Sequence, residues 1–238
     1  MSKRNSAAVR TEEVWKVFEQ EAEEVQAVRG VTLVIEPGEF TAMAGPSGSG
    51  KTTLLNLIGG LTRPTRGSIW IADRDLTEMS NRQLAKMRLE SVGFIFQAYN
   101  LLPVLTAAEN AEFPLLLQGI DGDERQRRVE KLFKRTGMDG LEDRRPGKLS
   151  GGQQQRVAVI RAVVAEPALV LADEPTANLD SEASDKLLDM MEELNRELGT
   201  TFVFATHDPR VMERARRLIR LVDGTIASDE RQELEPQR

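Results

Sequence analysis

Eight residues, Gly45-Pro46-Ser47-Gly48-Ser49-Gly50-Lys51-Thr52, constrain the architecture of this chain more than any other stretch. They match G-x-x-x-x-G-K-[ST] and stand between an apolar run, Phe40-Thr41-Ala42-Met43-Ala44, and a leucine-rich segment from Lys51 to Leu61. A strand that feeds a glycine loop and then a helix is the setting in which this pattern has a physical meaning. Gly45, Gly48 and Gly50 let the loop wrap phosphates with successive N–H groups. Lys51 adds a point charge for the β- and γ-phosphates, and the Thr52 hydroxyl, followed by Thr53, can ligate Mg2+. The expectation is an α/β fold with a P-loop core.

The rest of the chain divides by pattern. Val14 to Phe18, Val25 to Val28 and Val31 to Ile35 read as strands turned at Pro37-Gly38, which places an antiparallel β region near the N-terminus. Gly67 to Ala72 and Val92 to Phe96 read as further strands. From Gln97 to about Leu149 the pattern turns helical, with segments Thr106 to Gln118 and Asp123 to Thr136 punctuated by glycines. Residues 97–156 are therefore expected as a helical subdomain inserted between core segments 1–96 and 157–227, within one domain. Its charge run DERQRR reads as a solvated helix face. Ala168 to Ala172 is a wholly apolar strand, Ser181 to Leu198 an amphipathic helix ended by Gly199, and Thr200 to Thr206 another strand. Asp223-Gly224 closes a late hairpin, and Ser228 to Arg238 reads as a frayed polar tail.

Composition narrows the setting. The 238 residues carry a net charge of −6 and no cysteine, which argues against general nucleic-acid binding and excludes thiol chemistry. The basic start MSKRNSAAVR lacks an apolar h-region, and no run of about eighteen apolar residues occurs. The expectation is a cytoplasmic protein with no membrane span of its own.

A second phosphate-binding helix start follows at Leu149-Ser150-Gly151-Gly152-Gln153. Ser150 can cap the helix, and the glycine pair lets an anion approach free N–H groups. After both, ALVLADEP puts Asp173 and Glu174 at the carboxyl end of a buried strand. Asp173 suits Mg2+, through water, and Glu174 suits the general base for an attacking water. His207 and Gln97 each follow a strand, where they could reach a γ-phosphate, Mg2+ or the water.

With those residues laid out, the chain resembles the ATP-binding subunits of ABC transporters over nearly its full length. Gly45 to Thr52 resembles the Walker A loop, Leu149 to Gln153 the signature motif, and Leu169 to Glu174 Walker B with its catalytic glutamate. Gln97 matches the Q-loop, Asn178-Leu179-Asp180 the D-loop, His207 the switch histidine, and Phe18 the adenine-stacking aromatic. Finer stretches, such as VGFIFQAYNLLPVLTAAEN, are similar to the lipoprotein-releasing and macrolide-exporter branch, although Ala177, Ile160 and Arg74 depart from its usual residues. The resemblance implies a head-to-tail dimer closing on two ATP molecules. Each site would join Lys51 of one copy to Ser150, Gly151, Gly152, Gln153 and Asp180 of the other. It also implies a separate membrane permease, whose coupling helix sits near Tyr99 to Leu117, and a place on the inner face of the cell membrane. A regulatory role, signalling through a membrane partner without transport as in the cell-division complex, is the alternative.

Overall fold

The computed structural model describes residues 7–19 and 24–232; residues 1–6, the basic start, and 233–238, the end of the expected tail, lie outside it. In chain order the strands are β1 (Val9–Glu19), β2 (Glu24–Ile35), β3 (Phe40–Ala44), β4 (Arg66–Ile71), β5 (Arg74–Asp75), β6 (Val92–Ile95), β7 (Leu169–Asp173), β8 (Thr201–Thr206), β9 (Arg217–Val222) and β10 (Thr225–Arg231). The helices are α1 (Lys51–Ile58), α2 (Asn81–Ser91), α3 (Ala107–Leu117), α4 (Gly122–Arg135), α5 (Gly151–Val163), α6 (Ser181–Leu198) and α7 (Pro209–Arg214).

Two sheets form. The first, ordered β2-β1-β4-β5, is antiparallel; the second, ordered β10-β9-β3-β8-β7-β6, is parallel except for the β9–β10 hairpin. Successive side chains of a strand point to opposite faces, and here both faces are covered. Phe40, Ala42, Val170, Ala172, Phe202 and Phe204 join α3 to α6 in one core. Met43, Leu169, Leu171, Val203 and Ala205 join α1, α2 and the antiparallel sheet in the other. The parallel strands thus form the middle layer of the α/β core, and their carboxyl ends emerge together beside the P-loop.

Several helix starts follow from local chemistry. Ser80, Thr106 and Ser150 each cap a helix and exchange bonds with Gln83, Glu109 and Gln153 respectively, forming reciprocal capping boxes. On α4 the expected apolar face, Val129, Leu132 and Phe133, is buried. Helix α5 lies directly on β6: a Cβ on Gly93 would fall 2.2 Å from the Ala162 carbonyl oxygen.

Three expectations need correction. Helix α1 ends at Ile58 rather than Leu61, because Gly59 caps it and Gly60 turns left-handed at φ +62°. The segment from Ser228 is not frayed at its start; it continues β10 to Arg231, where Asp229 receives two hydrogen bonds from Arg217. Helix α2, absent from the periodicity reading, buries only Leu84 and Met87. Among the described residues no helix is long and apolar enough to cross a membrane.

Candidate nucleotide site

The P-loop is braced from two sides before any ligand is considered. Gly50 has φ +96°, and a Cβ there would meet the Ala27 carbonyl oxygen at 2.3 Å, so β2 presses on the loop. The β9–β10 turn presses from the other direction, with the Gly224 N–H donating to the Ser49 carbonyl at 3.1 Å. Ser49 is buried, whereas Pro46, Ser47 and Gly48 are exposed. Helix α1 begins without a side-chain cap, which leaves its first N–H groups as donors for an anion. Thr52 and Thr53 stand in that first turn.

Lys51 is 8% exposed, and its Nζ donates to the carbonyls of Gly45 at 2.7 Å and Pro46 at 3.0 Å. Among the described residues it forms no ion pair. A nearly buried cation with only neutral partners fits a phosphate as its missing counter-charge.

The Thr52 hydroxyl donates to Asp173 Oδ1 at 3.0 Å, joining the loop to the end of β7. Burial pushes the Asp173 carboxyl above its ordinary range, with the neighbouring Glu174 adding to the rise; the Thr52 hydrogen bond and Lys51 oppose it. Among the described residues no group of three or more His, Cys, Asp or Glu could hold a metal. This set fits Mg2+, which binds through one or two carboxylates together with substrate phosphates, better than a metal needing a protein cage. Gln97 is exposed just past β6, and its main-chain carbonyl accepts a 2.8 Å bond from Asn178 Nδ2.

Glu174 adopts φ +45°, a left-handed conformation uncommon for a side chain of its size. Its N–H donates to Ala205 O at 2.9 Å, extending the pairing of β7 and β8 by one step. Its Oε2 accepts from Thr206 Oγ1 at 3.0 Å and from the His207 N–H at 3.3 Å, while Oε1 lies 2.6 Å from His207 Nδ1. The carboxylate is thereby aimed by β8, and His207 remains exposed.

The second helix start lies elsewhere. Ser150, Gly151, Gly152 and Gln153 line a cavity of about 430 Å³ with Asn178, Leu179 and Asp180, and no P-loop residue lines it. The Ser150–Gln153 box satisfies the N–H groups of those two residues, and those of Gly151 and Gly152, in the first turn of α5, have no acceptor within the helix. Asp180 caps α6 through the Ala183 N–H at 2.8 Å. Phe18 is 40% exposed and shares a separate cavity with Trp15, Gln26 and Arg66. The structure thus brings Lys51, Thr52 and Asp173 together, and Glu174 with His207. It places Ser150 to Gln153 and Asp180 on another surface of the same chain. Thr206 was not singled out from the sequence; its position immediately before His207 at a strand end was the available signal.

Comparison with known proteins gives the family and the fold. The sequence pattern of the family described as ABC transporter matches residues 28–177. The lipoprotein-releasing system ATP-binding protein LolD of Anaeromyxobacter dehalogenans is 46% identical over 203 residues, covering 85% of each chain. The macrolide export ATP-binding/permease protein MacB of Hyphomonas neptunium is 48% identical over 206 residues; these cover 87% of this chain and 32% of MacB. The dimeric post-hydrolysis structure of the ATP-binding cassette MJ0796 of Methanocaldococcus jannaschii, bound to ADP and Pi, superposes with a TM-score of 0.86. It is 40% identical, and the match covers 94% of this chain and 98% of that one.

Proposed function

The chain belongs to the ABC transporter family, and from that membership we propose that it is an ATP-hydrolysing motor subunit, of the lipoprotein-release or exporter kind, that works as a dimer closed on ATP. The observation that carries the dimer is the separation of the two anion-binding helix starts, since Ser150 to Gln153 face a cavity that the P-loop does not enter. Each chain then offers two half-sites, and a second copy placed head-to-tail joins them. The dimeric MJ0796 structure supports the same reading.

Within each site the residues divide the work. Phe18 stacks on the adenine, and the N–H groups of the loop from Gly45 to Thr53 receive the phosphates, with Lys51 turning from its two carbonyls to them. Thr52, Asp173 and Gln97 would hold Mg2+, which supplies charge neutralisation on the phosphate oxygens. Glu174, aimed by Thr206 and His207, holds the attacking water and takes its proton. Ser150, Gly151, Gly152, Gln153 and Asp180 of the second copy close over the γ-phosphate, and that closure is the working stroke.

The stroke requires a membrane permease outside these 238 residues, a pairing that MacB carries in its name. An apolar groove of about 380 Å³ beside the Q-loop, lined by Phe94, Phe96, Phe113 and Leu117, suits its coupling helix. Leu117, in its wall, is 58% exposed. Such a complex would sit on the inner face of the cell membrane. The direct test is Mg2+-dependent phosphate release from ATP by the purified chain. Release that disappears in Lys51→Ala supports the motor reading, and no release at any protein concentration would end it.

A further inference from the structure

Two consecutive non-glycine residues just after Gln97 are left-handed, Tyr99 at φ +55° and Asn100 at φ +51°. A tyrosine rarely adopts that conformation unless its surroundings impose it. Inside the turn the Tyr99 N–H donates to the Phe96 carbonyl at 3.2 Å and the Asn100 N–H to the Ala98 carbonyl at 2.5 Å; the carbonyls of both left-handed residues are taken by one arginine. Arg161 of α5 donates to the Tyr99 carbonyl at 2.8 Å and to the Asn100 carbonyl at 2.6 Å. Among the described residues it has no carboxylate partner, although burial pulls its guanidinium below the ordinary range. A desolvated cation spent on two carbonyls of a strained turn is costly, and its planar fork matches that pair of acceptors as a lysine could not.

The other end of Tyr99 points back along the same helix. Its hydroxyl lies 2.9 Å from where a Cβ on Gly151 would stand. Ten residues of helix separate Gly151 from Arg161, about 15 Å along the axis. Side chains of a helix lean toward its N-terminus, so Arg161 reaches part of that way and Tyr99 spans the rest. Arg161 and Asn100 also line the apolar groove beside the Q-loop.

We propose that Arg161 is a positioning residue that locks the left-handed turn at Tyr99–Asn100 against α5, so that the groove, the Gln97 segment and the Ser150 motif move as one piece. This rests on the motor reading of the site. Arg161 touches none of the residues assigned to the nucleotide, so its loss should lower turnover without weakening ATP binding.

Tyr99 is the chain's single tyrosine, so 3-fluorotyrosine labelling places one fluorine resonance at this turn. In Arg161→Lys and Arg161→Ala we expect that resonance to move toward the free amino-acid position and narrow. The kcat for ATP should fall about tenfold to a hundredfold, with KM changing less than about twofold. The lysine variant keeps the charge and most of the packing, and so separates the fork from the fold. An unmoved resonance in both variants, or a moved one with unchanged kcat, would overturn the proposal. If the unsubstituted chain hydrolyses no ATP, the motor reading fails by itself, and the fluorine shift alone decides whether the clamp exists.

Discussion

The imidazole Nδ1 of His207 lies 2.6 Å from Oε1 of Glu174, across the line where β8 runs beside β7. Together with the Thr206 hydroxyl on Oε2, this contact fixes both oxygens of a carboxylate whose backbone is already left-handed. An acid held by three donors is oriented but not free, and proton transfer depends on geometry before it depends on basicity.

Glu174→Gln should therefore keep ATP binding and lower kcat by about 10²- to 10⁴-fold, the usual worth of a positioned general base. His207→Ala, which removes one of the aiming contacts, should act in the same direction and more weakly. Single-turnover phosphate release checks both. Undiminished release from Glu174→Gln would remove it from that role.

Phe18→Ala tests the base platform. Stacking of a base on an aromatic ring is worth about 1–3 kcal/mol, so ATP affinity should fall about fivefold to 150-fold while the rate at saturating ATP stays near its starting value. Isothermal titration read beside kcat distinguishes this from a folding defect. Equal affinity for ATP in the variant would place the adenine elsewhere.

Ser150→Arg introduces bulk and charge at the outward helix start without touching the P-loop of its own chain. Titration should show ATP bound as before, while steady-state hydrolysis is lost because the two half-sites cannot close. Hydrolysis at the original rate would mean that Ser150 has no part in the site.

Stability offers an independent check on how α5 is seated. Gly93→Ala drives a Cβ to 2.2 Å from the Ala162 carbonyl, a backbone atom that can yield only by moving the helix. Overpacking of this kind costs about 1–3 kcal/mol, so urea unfolding should shift to lower concentration. An unchanged midpoint would contradict the close approach of α5 to β6.

Much of this was readable from residue pattern alone, for identifiable reasons. Helix α6 was legible to the residue because its apolar spacing runs from Leu187 to Leu194 and Gly199, at φ +67°, terminates it. Strand β3 was legible because an unbroken apolar run enters a glycine loop. Helix α2 was not, since Leu84 and Met87 are too sparse to set a period; its capping box, Ser80 with Gln83, was the signal available. The overrun of α1 came from Leu61, an apolar residue beyond the two glycines that end the helix. The pairing of Glu174 with His207 was beyond periodicity, because it depends on β7 and β8 being neighbours across 33 residues of chain. Left-handed turns such as Tyr99–Asn100 carry no glycine to announce them, so only the fold reveals what holds them.

Size-exclusion chromatography with light scattering, run on Glu174→Gln with and without Mg2+ and ATP, tests the shared site most directly. Two chains joined through Lys51 of one and Ser150 of the other should elute as a monomer without nucleotide and as a dimer with it. A chain of one protomer's mass under both conditions, with ATP shown to be bound, would contradict the shared site.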